Sequence, residues 1–377
     1  MNASLRFGGA ILLFAAGALG TGCGGEDAGF DQAMLAQYRT AIPKETQLSA
    51  KAPTASIQAL VGDPAMLPAG AKDIVTGING SVGHIIKTME TIVATEPTIY
   101  KADTKEFVWG PYKSDDGFGT VAAYIKDEGT GGDFHYVYAL LRGATMDLNS
   151  MKPVIWGGAT PDEANGDHGA GVTLWDFEAN YAFEQANNPD FATLQLERGR
   201  FVSVYGKDAK NGGEATFVVA VLRGFVPKDK PDSMPTDLDY LYGRFNDGTN
   251  QFDFINFESA FDVDKDPAKT AAENFGIQMA FFNEGTGKAE ATASGGDLAM
   301  GQTANVVECW DKALAETYLS FESSTNGVPD GPASVEGAAA DCGAFQKTLT
   351  ELGVPALSGI DPALMATLDD VAKNGVK

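Results

Sequence analysis

The chain has 377 residues, with 51 acidic against 27 basic side chains and a formal net charge of −24. Phosphate binding needs concentrated Lys and Arg, so this balance excludes nucleic acid as a partner, and an anionic lipid face would repel the body. Forty-five glycines among frequent Phe and Tyr speak for strands joined by turns and against a helical bundle.

The first 22 residues carry one basic side chain, Arg6, then an apolar run over 10–16, then small residues up to Cys23. An apolar segment this short, with one flanking positive charge, reads as a signal h-region and not as a membrane span. The arrangement resembles the signal peptide of bacterial lipoproteins, in which the cysteine thiol is acylated and becomes the new N-terminus. The resemblance implies that Cys23 carries the lipid and that residues 1–22 are removed. It places the body in the bacterial cell envelope, facing the periplasm or the cell surface. Gly24, Gly25, Glu26 and Asp27 then form a polar tether.

Residues 23–80 are expected to be this tether followed by an irregular segment, because 44–80 are rich in Ala, Pro and Gly. Helical spacing is visible over 30–40 and again over 82–92, where Ile85, Ile86, Met89 and Ile92 share one side. The region 81–342 is expected to be an antiparallel β domain with that second helix leading it. Residues 343–377 form a C-terminal helical segment, in which Asp361-Pro362 starts a helix with Leu364, Leu368 and Val371 on one face.

The β region carries an internal pattern of about 80 residues. Gly-rich turns recur at 127–132, 207–213 and 283–287, each after an apolar run, as hairpins demand. The returning segments 134–143 and 216–224 both end in Leu-Arg-Gly, and 173–181 parallels 253–261. Trp175, Phe177 and Tyr181 are expected on one face of a strand, with Asp176, Glu178 and Asn180 opposite. The fold class that follows is mainly β: a long antiparallel meander forming a curved sheet or barrel, with a sandwich as second choice and a few flanking helices packed on its concave or open side. This layout resembles, in architecture alone, periplasmic lipid-carrier folds.

Two cysteines remain beside Cys23. Cys309 and Cys342 suit a disulfide in an oxidising compartment, worth roughly 3 kcal/mol by loop entropy, with two buried free thiols as the alternative. Asp262, Asp264, Asp266 and Glu273 match positions 1, 3, 5 and 12 of a calcium loop, but Pro267 replaces the turn glycine and a strand precedes it. The plain reading is a solvated acidic turn, with calcium as the only cofactor in view. The loop 162–168 offers Asp162, Glu163, Asp167 and His168, which suit either a metal or a simple connection. Of the other two histidines, His84 falls in the second helix and His135 is expected to face outward from a strand. No G-x-S-x-G elbow accompanies them, and Gly285-Thr286-Gly287-Lys288 repeats a hairpin turn. Trp156, Trp175, Tyr181, Tyr240 and Tyr242 fit either a core or a pocket lining.

The leading functional expectation is a lipid-anchored, non-catalytic envelope protein that binds a protein partner or an apolar ligand through its sheet. A structural or adhesion-type surface lipoprotein, calcium-stabilised or not, stands second, and a secreted hydrolase third.

Overall fold

Successive hairpins generate one antiparallel sheet, seen in a computed structural model that describes residues 30–55, 63–114, 118–210, 213–246, 251–262 and 269–375. Cys23 and the segment before it lie outside the described residues. The strands are β1 (Ile99–Lys101), β2 (Glu106–Lys113), β3 (Thr120–Asp127), β4 (Tyr136–Gly143), β5 (Lys152–Pro161), β6 (Gly169–Asp176), β7 (Arg198–Lys210) and β8 (Gly213–Val226). They continue as β9 (Thr236–Asn246), β10 (Gln251–Phe261), β11 (Glu273–Phe282), β12 (Gly287–Ser294), β13 (Gln302–Trp310), β14 (Glu316–Thr325), β15 (Val328–Pro329) and β16 (Ser334–Gly337). Each strand through β15 pairs with the next and β16 pairs with β14, so the meander is an open sheet and not a barrel. The helices are α1 (Gln32–Arg39), α2 (Glu45–Leu48), α3 (Met66–Ala94), α4 (Phe177–Asn187) and α5 (Pro362–Asn374).

The sequence places the helices on one side, but they divide between the two faces. Leu35, Tyr38, Val75, Val82, Ile86 and Met89 from α1 and α3 pack against Phe107, Trp109, Tyr138, Tyr205, Tyr240 and Ile255. On the other face, Phe345, Leu349, Val354, Leu357, Leu368 and Ala372 pack against Val202, Val219, Val221, Leu241 and Phe254. A sheet covered on both faces has strands without polar alternation. β4 is accordingly buried at every position from Tyr136 to Gly143.

Residues 66–80, irregular by composition, are the first half of α3. Glycine costs a helix interior about 1 kcal/mol, and this half contains Gly70, Gly77 and Gly80. A buried stripe of Ala71, Val75, Val82, Ile86, Met89 and Val93 offsets that cost through packing. Both ends of α3 are capped from elsewhere in the chain. Its N-cap, Ala65, has no side-chain acceptor, and the Glu308 carboxylate of β13 accepts from Met66 N and Leu67 N at 2.7 Å each. At the other end the Arg39 guanidinium of α1 donates to the carbonyls of Val93, Ala94 and Thr95. Each charge has the sign the helix dipole favours.

Burial holds the Glu308 carboxyl above its ordinary range, against the pull of the Leu67 and Met66 N–H groups and with the Glu316 carboxylate adding to the rise. Glu308→Ala is expected to cost about 1–2 kcal/mol, the loss of a cap. A carboxyl raised on folding stabilises fully below its unfolded pKa, and that contribution is lost as pH rises through the folded value. The gap between wild type and variant in urea unfolding is therefore expected to be wider at pH 4 than at pH 8.

One apparent repeat diverges. Residues 173–176 are strand, but Phe177, Glu178, Asn180 and Tyr181 belong to α4, whereas 253–261 remain strand throughout β10. The Asp176 carboxylate accepts from Ala179 N at 2.7 Å and starts the helix as its N-cap. The corresponding Asn256 is held in the sheet, with its amide donating to the Pro355 carbonyl at 3.0 Å. Sequence likeness persists where local capping has already changed the structure.

Candidate metal centre at the hairpin end of the sheet

In a meander, every second connection falls at the same end of the sheet. The ends of β3, β5, β7, β11 and β13 therefore lie together, and they carry the three Gly-rich turns and the loop 162–168. This end is acidic. Burial first, then the Asp127 and Glu163 carboxylates, push the Tyr136 phenol above its ordinary pKa.

The loop between β5 and β6 is tied across its base. Asp162 N donates to the His168 carbonyl at 3.1 Å, and His168 N donates to the Asn165 carbonyl at 2.8 Å. The Asp162 Oδ1 accepts from Ala164 N at 2.7 Å, and the Asn165 Oδ1 accepts from Asp167 N at 3.1 Å. Gly169 then enters β6 at φ +132°, where a Cβ would meet the Thr160 carbonyl oxygen at 2.6 Å. Glycine is required there, and it fixes where His168 points. The Asn165 amide nitrogen lies 3.3 Å from each ring nitrogen of His168.

β7 supplies the third donor. Gly169 pairs with Lys207, so the next position, Asp208, stands opposite His168. Ligand atoms of Asp162, His168 and Asp208 all lie within 4.8 Å of one another. His168 is buried, while Asp162 and Asp208 are exposed. The loop is legible in the sequence as a possible donor set. Asp208 is not, because it sits in the segment of a hairpin turn 40 positions further on.

The other candidates separate from this group. Of the calcium-type residues, Asp264 and Asp266 lie outside the described residues, and Asp262 follows the end of β10. Glu273 is buried at the start of β11, and its carboxylate accepts from Asp297 N at 3.1 Å. His135 precedes β4, stacks on Tyr136 and places Nε2 3.4 Å from Asp127 Oδ1. His84 is in α3. Lys288 is buried in β12, where its Nζ contacts Glu290 at 2.7 Å and donates to the Lys347 carbonyl at 2.8 Å, a structural role. Cys309 and Cys342 are disulfide-bonded, with Cα atoms 5.3 Å apart.

Trp156, Trp175, Tyr240 and Tyr242 are buried core residues, and Tyr181 packs on Phe191 and under Arg198. Among the described residues, small spaces lie between α3 and the sheet. One of about 10 Å³ is bounded by Ile85, Met89 and Tyr138, and one of about 40 Å³ by Ile78, Phe201 and Phe225. Ligand pockets run from about 300 Å³ upward. No helix among the described residues is long and apolar enough to cross a membrane. No family model, no curated protein and no solved structure matches the chain.

Proposed function

We propose that this protein is a lipid-anchored cell-envelope protein, non-catalytic, that acts by binding a protein partner. The observation that carries the choice of partner is the filling of both sheet faces by the chain's own segments. With spaces of only about 10 and 40 Å³ left under α3, an apolar cargo has no seat there. The surfaces left to a partner are the loop-bearing ends and the outer strands β1 and β16, the latter exposed at all four residues. The Cys309–Cys342 disulfide agrees with an oxidising compartment, and the lipoprotein-like signal ending at Cys23 supports the anchor.

Cys23→Ser is expected to move the protein from the membrane fraction to the soluble extracytoplasmic fraction; unchanged sedimentation would overturn the anchor. Mass spectrometry of an organic extract of the purified Cys23→Ser protein tests the choice of ligand. No stoichiometric lipid is expected, and one lipid per chain would sink the protein-partner reading.

A further inference from the structure

We propose that Asp162, His168 and Asp208 form a binding site for one divalent transition-metal ion of the zinc class. Two carboxylates and an imidazole converge from separate segments, the β5–β6 loop and the end of β7, with donor atoms within 4.8 Å of one another. Zinc bonds of about 2.0–2.1 Å place tetrahedral donors about 3.3 Å apart, so modest side-chain rotations close the set. The exposed Asp208 carboxylate supplies most of that rotation, the Asp162 carboxylate is tethered by its turn, and the buried His168 is the fixed member. Asp162 keeps Oδ2 for the ion while Oδ1 holds its turn through Ala164 N.

The donor chemistry selects the class of ion. Calcium takes six to eight oxygens, whereas a mixed imidazole and carboxylate set suits zinc and its first-row neighbours. Two carboxylates neutralise the ion's charge, and the acidic end of the sheet raises its local concentration. Three protein ligands leave the fourth tetrahedral position open for water or for an external donor. The bound ion would join the β5–β6 loop to β7 at a point where the backbone pairing ends at Gly169 and Lys207.

The rival account is a cluster of solvated side chains that takes up no ion. Calorimetric titration of the untagged, chelator-dialysed protein with zinc chloride separates the two. One equivalent per chain is expected, with a rise in melting temperature that calcium chloride at the same concentration does not produce. Asp208→Asn, at an exposed position, preserves the fold and is expected to weaken zinc binding more than about tenfold, since even outer-shell partners are worth 10–100-fold. Glu163→Gln, in the same loop but outside the triad, is expected to leave it unchanged. Cobalt(II) in place of zinc is expected to give a visible band that His168→Asn removes. Absence of saturable zinc binding, full affinity in Asp208→Asn, or calcium binding as tight as zinc would each overturn the site.

Discussion

Glu184→Ala is expected to lower the unfolding free energy by about 3–5 kcal/mol, the cost of stranding a buried charge. Glu184 lies on α4 with only 1% of its side chain exposed, and its Oε1 is 2.5 Å from Nη2 of Arg142, itself 9% exposed. The same carboxylate accepts from Phe118 N at 3.1 Å and from the Asn188 amide at 2.6 Å. Arg142 is further held by the Asn180 Oδ1 at 2.6 Å and the Phe118 carbonyl at 2.8 Å. Truncation leaves the guanidinium in low dielectric without its counter-charge and frees the Phe118 N–H. Equilibrium urea unfolding measures the loss. The double replacement Arg142→Met with Glu184→Leu is expected to recover most of it, because removing both charges also removes the desolvation penalty. The contrast is Arg198–Glu178, with side chains 44% and 33% exposed, where breaking the pair is expected to cost no more than about 1 kcal/mol. A Glu184→Ala loss as small as that would mean the buried pair is solvated in solution.

Arg142 also explains part of what the repeated Leu-Arg-Gly is for. Its counterpart, Arg223, donates to Asp239 at 2.6 Å and to Asp369 of α5 at 2.8 Å. Each arginine therefore fastens a helix to the sheet, α4 in one case and α5 in the other. The sequence displays the two tripeptides openly, yet their partners are acidic residues 42 and 146 positions further along, which no local pattern announces. In a chain with 51 acidic residues, the few arginines have many possible counter-charges, so spacing alone cannot name them.

Strands and hairpins are legible in the sequence because their causes are local. The turn at 283–287 and the apolar run 277–282 before it place β11 and the hairpin that follows by backbone preference alone. The first half of α3 is not legible, because its glycines oppose helix locally and only packing on the sheet beneath it overcomes that preference. The signal is present as Ala71, Val75 and Val82 at helical spacing, but the composition of 44–80 outweighs it. Burial of both sheet faces is foreshadowed by the unbroken apolar run of β8, Phe217 to Leu222, which alternation would have interrupted. In the candidate site, the donors Asp162 and His168 share one loop and can be seen together. Asp208 joins them through strand register, a property of the pairing and not of the loop.

Replacing both Cys309 and Cys342 by alanine is expected to cost about 3–4 kcal/mol, through the entropy of the 33-residue loop that the disulfide closes in the unfolded chain. Cys309 is fully buried in β13, and Cys342 is buried in the turn of 3-10 helix that begins the C-terminal layer. The bridge therefore joins the sheet to the layer covering one of its faces, near Phe345, which packs against Phe282 with ring centroids 5.0 Å apart. If the bond acts on the unfolded state, the variant's urea m-value is expected to rise along with the fall in stability, since the released chain exposes more surface. Amide exchange is expected to quicken first in β13, β14 and residues 339–345, while α3 on the opposite face keeps its protection. A loss with unchanged m-value and uniform exchange would instead point to packing around the sulfurs. Because both sulfurs are shielded from solvent, thiol reagents are expected to reduce the native protein slowly and the urea-unfolded protein quickly. That difference in rate reports how firmly the C-terminal layer is held over the bond by contacts other than the bond itself.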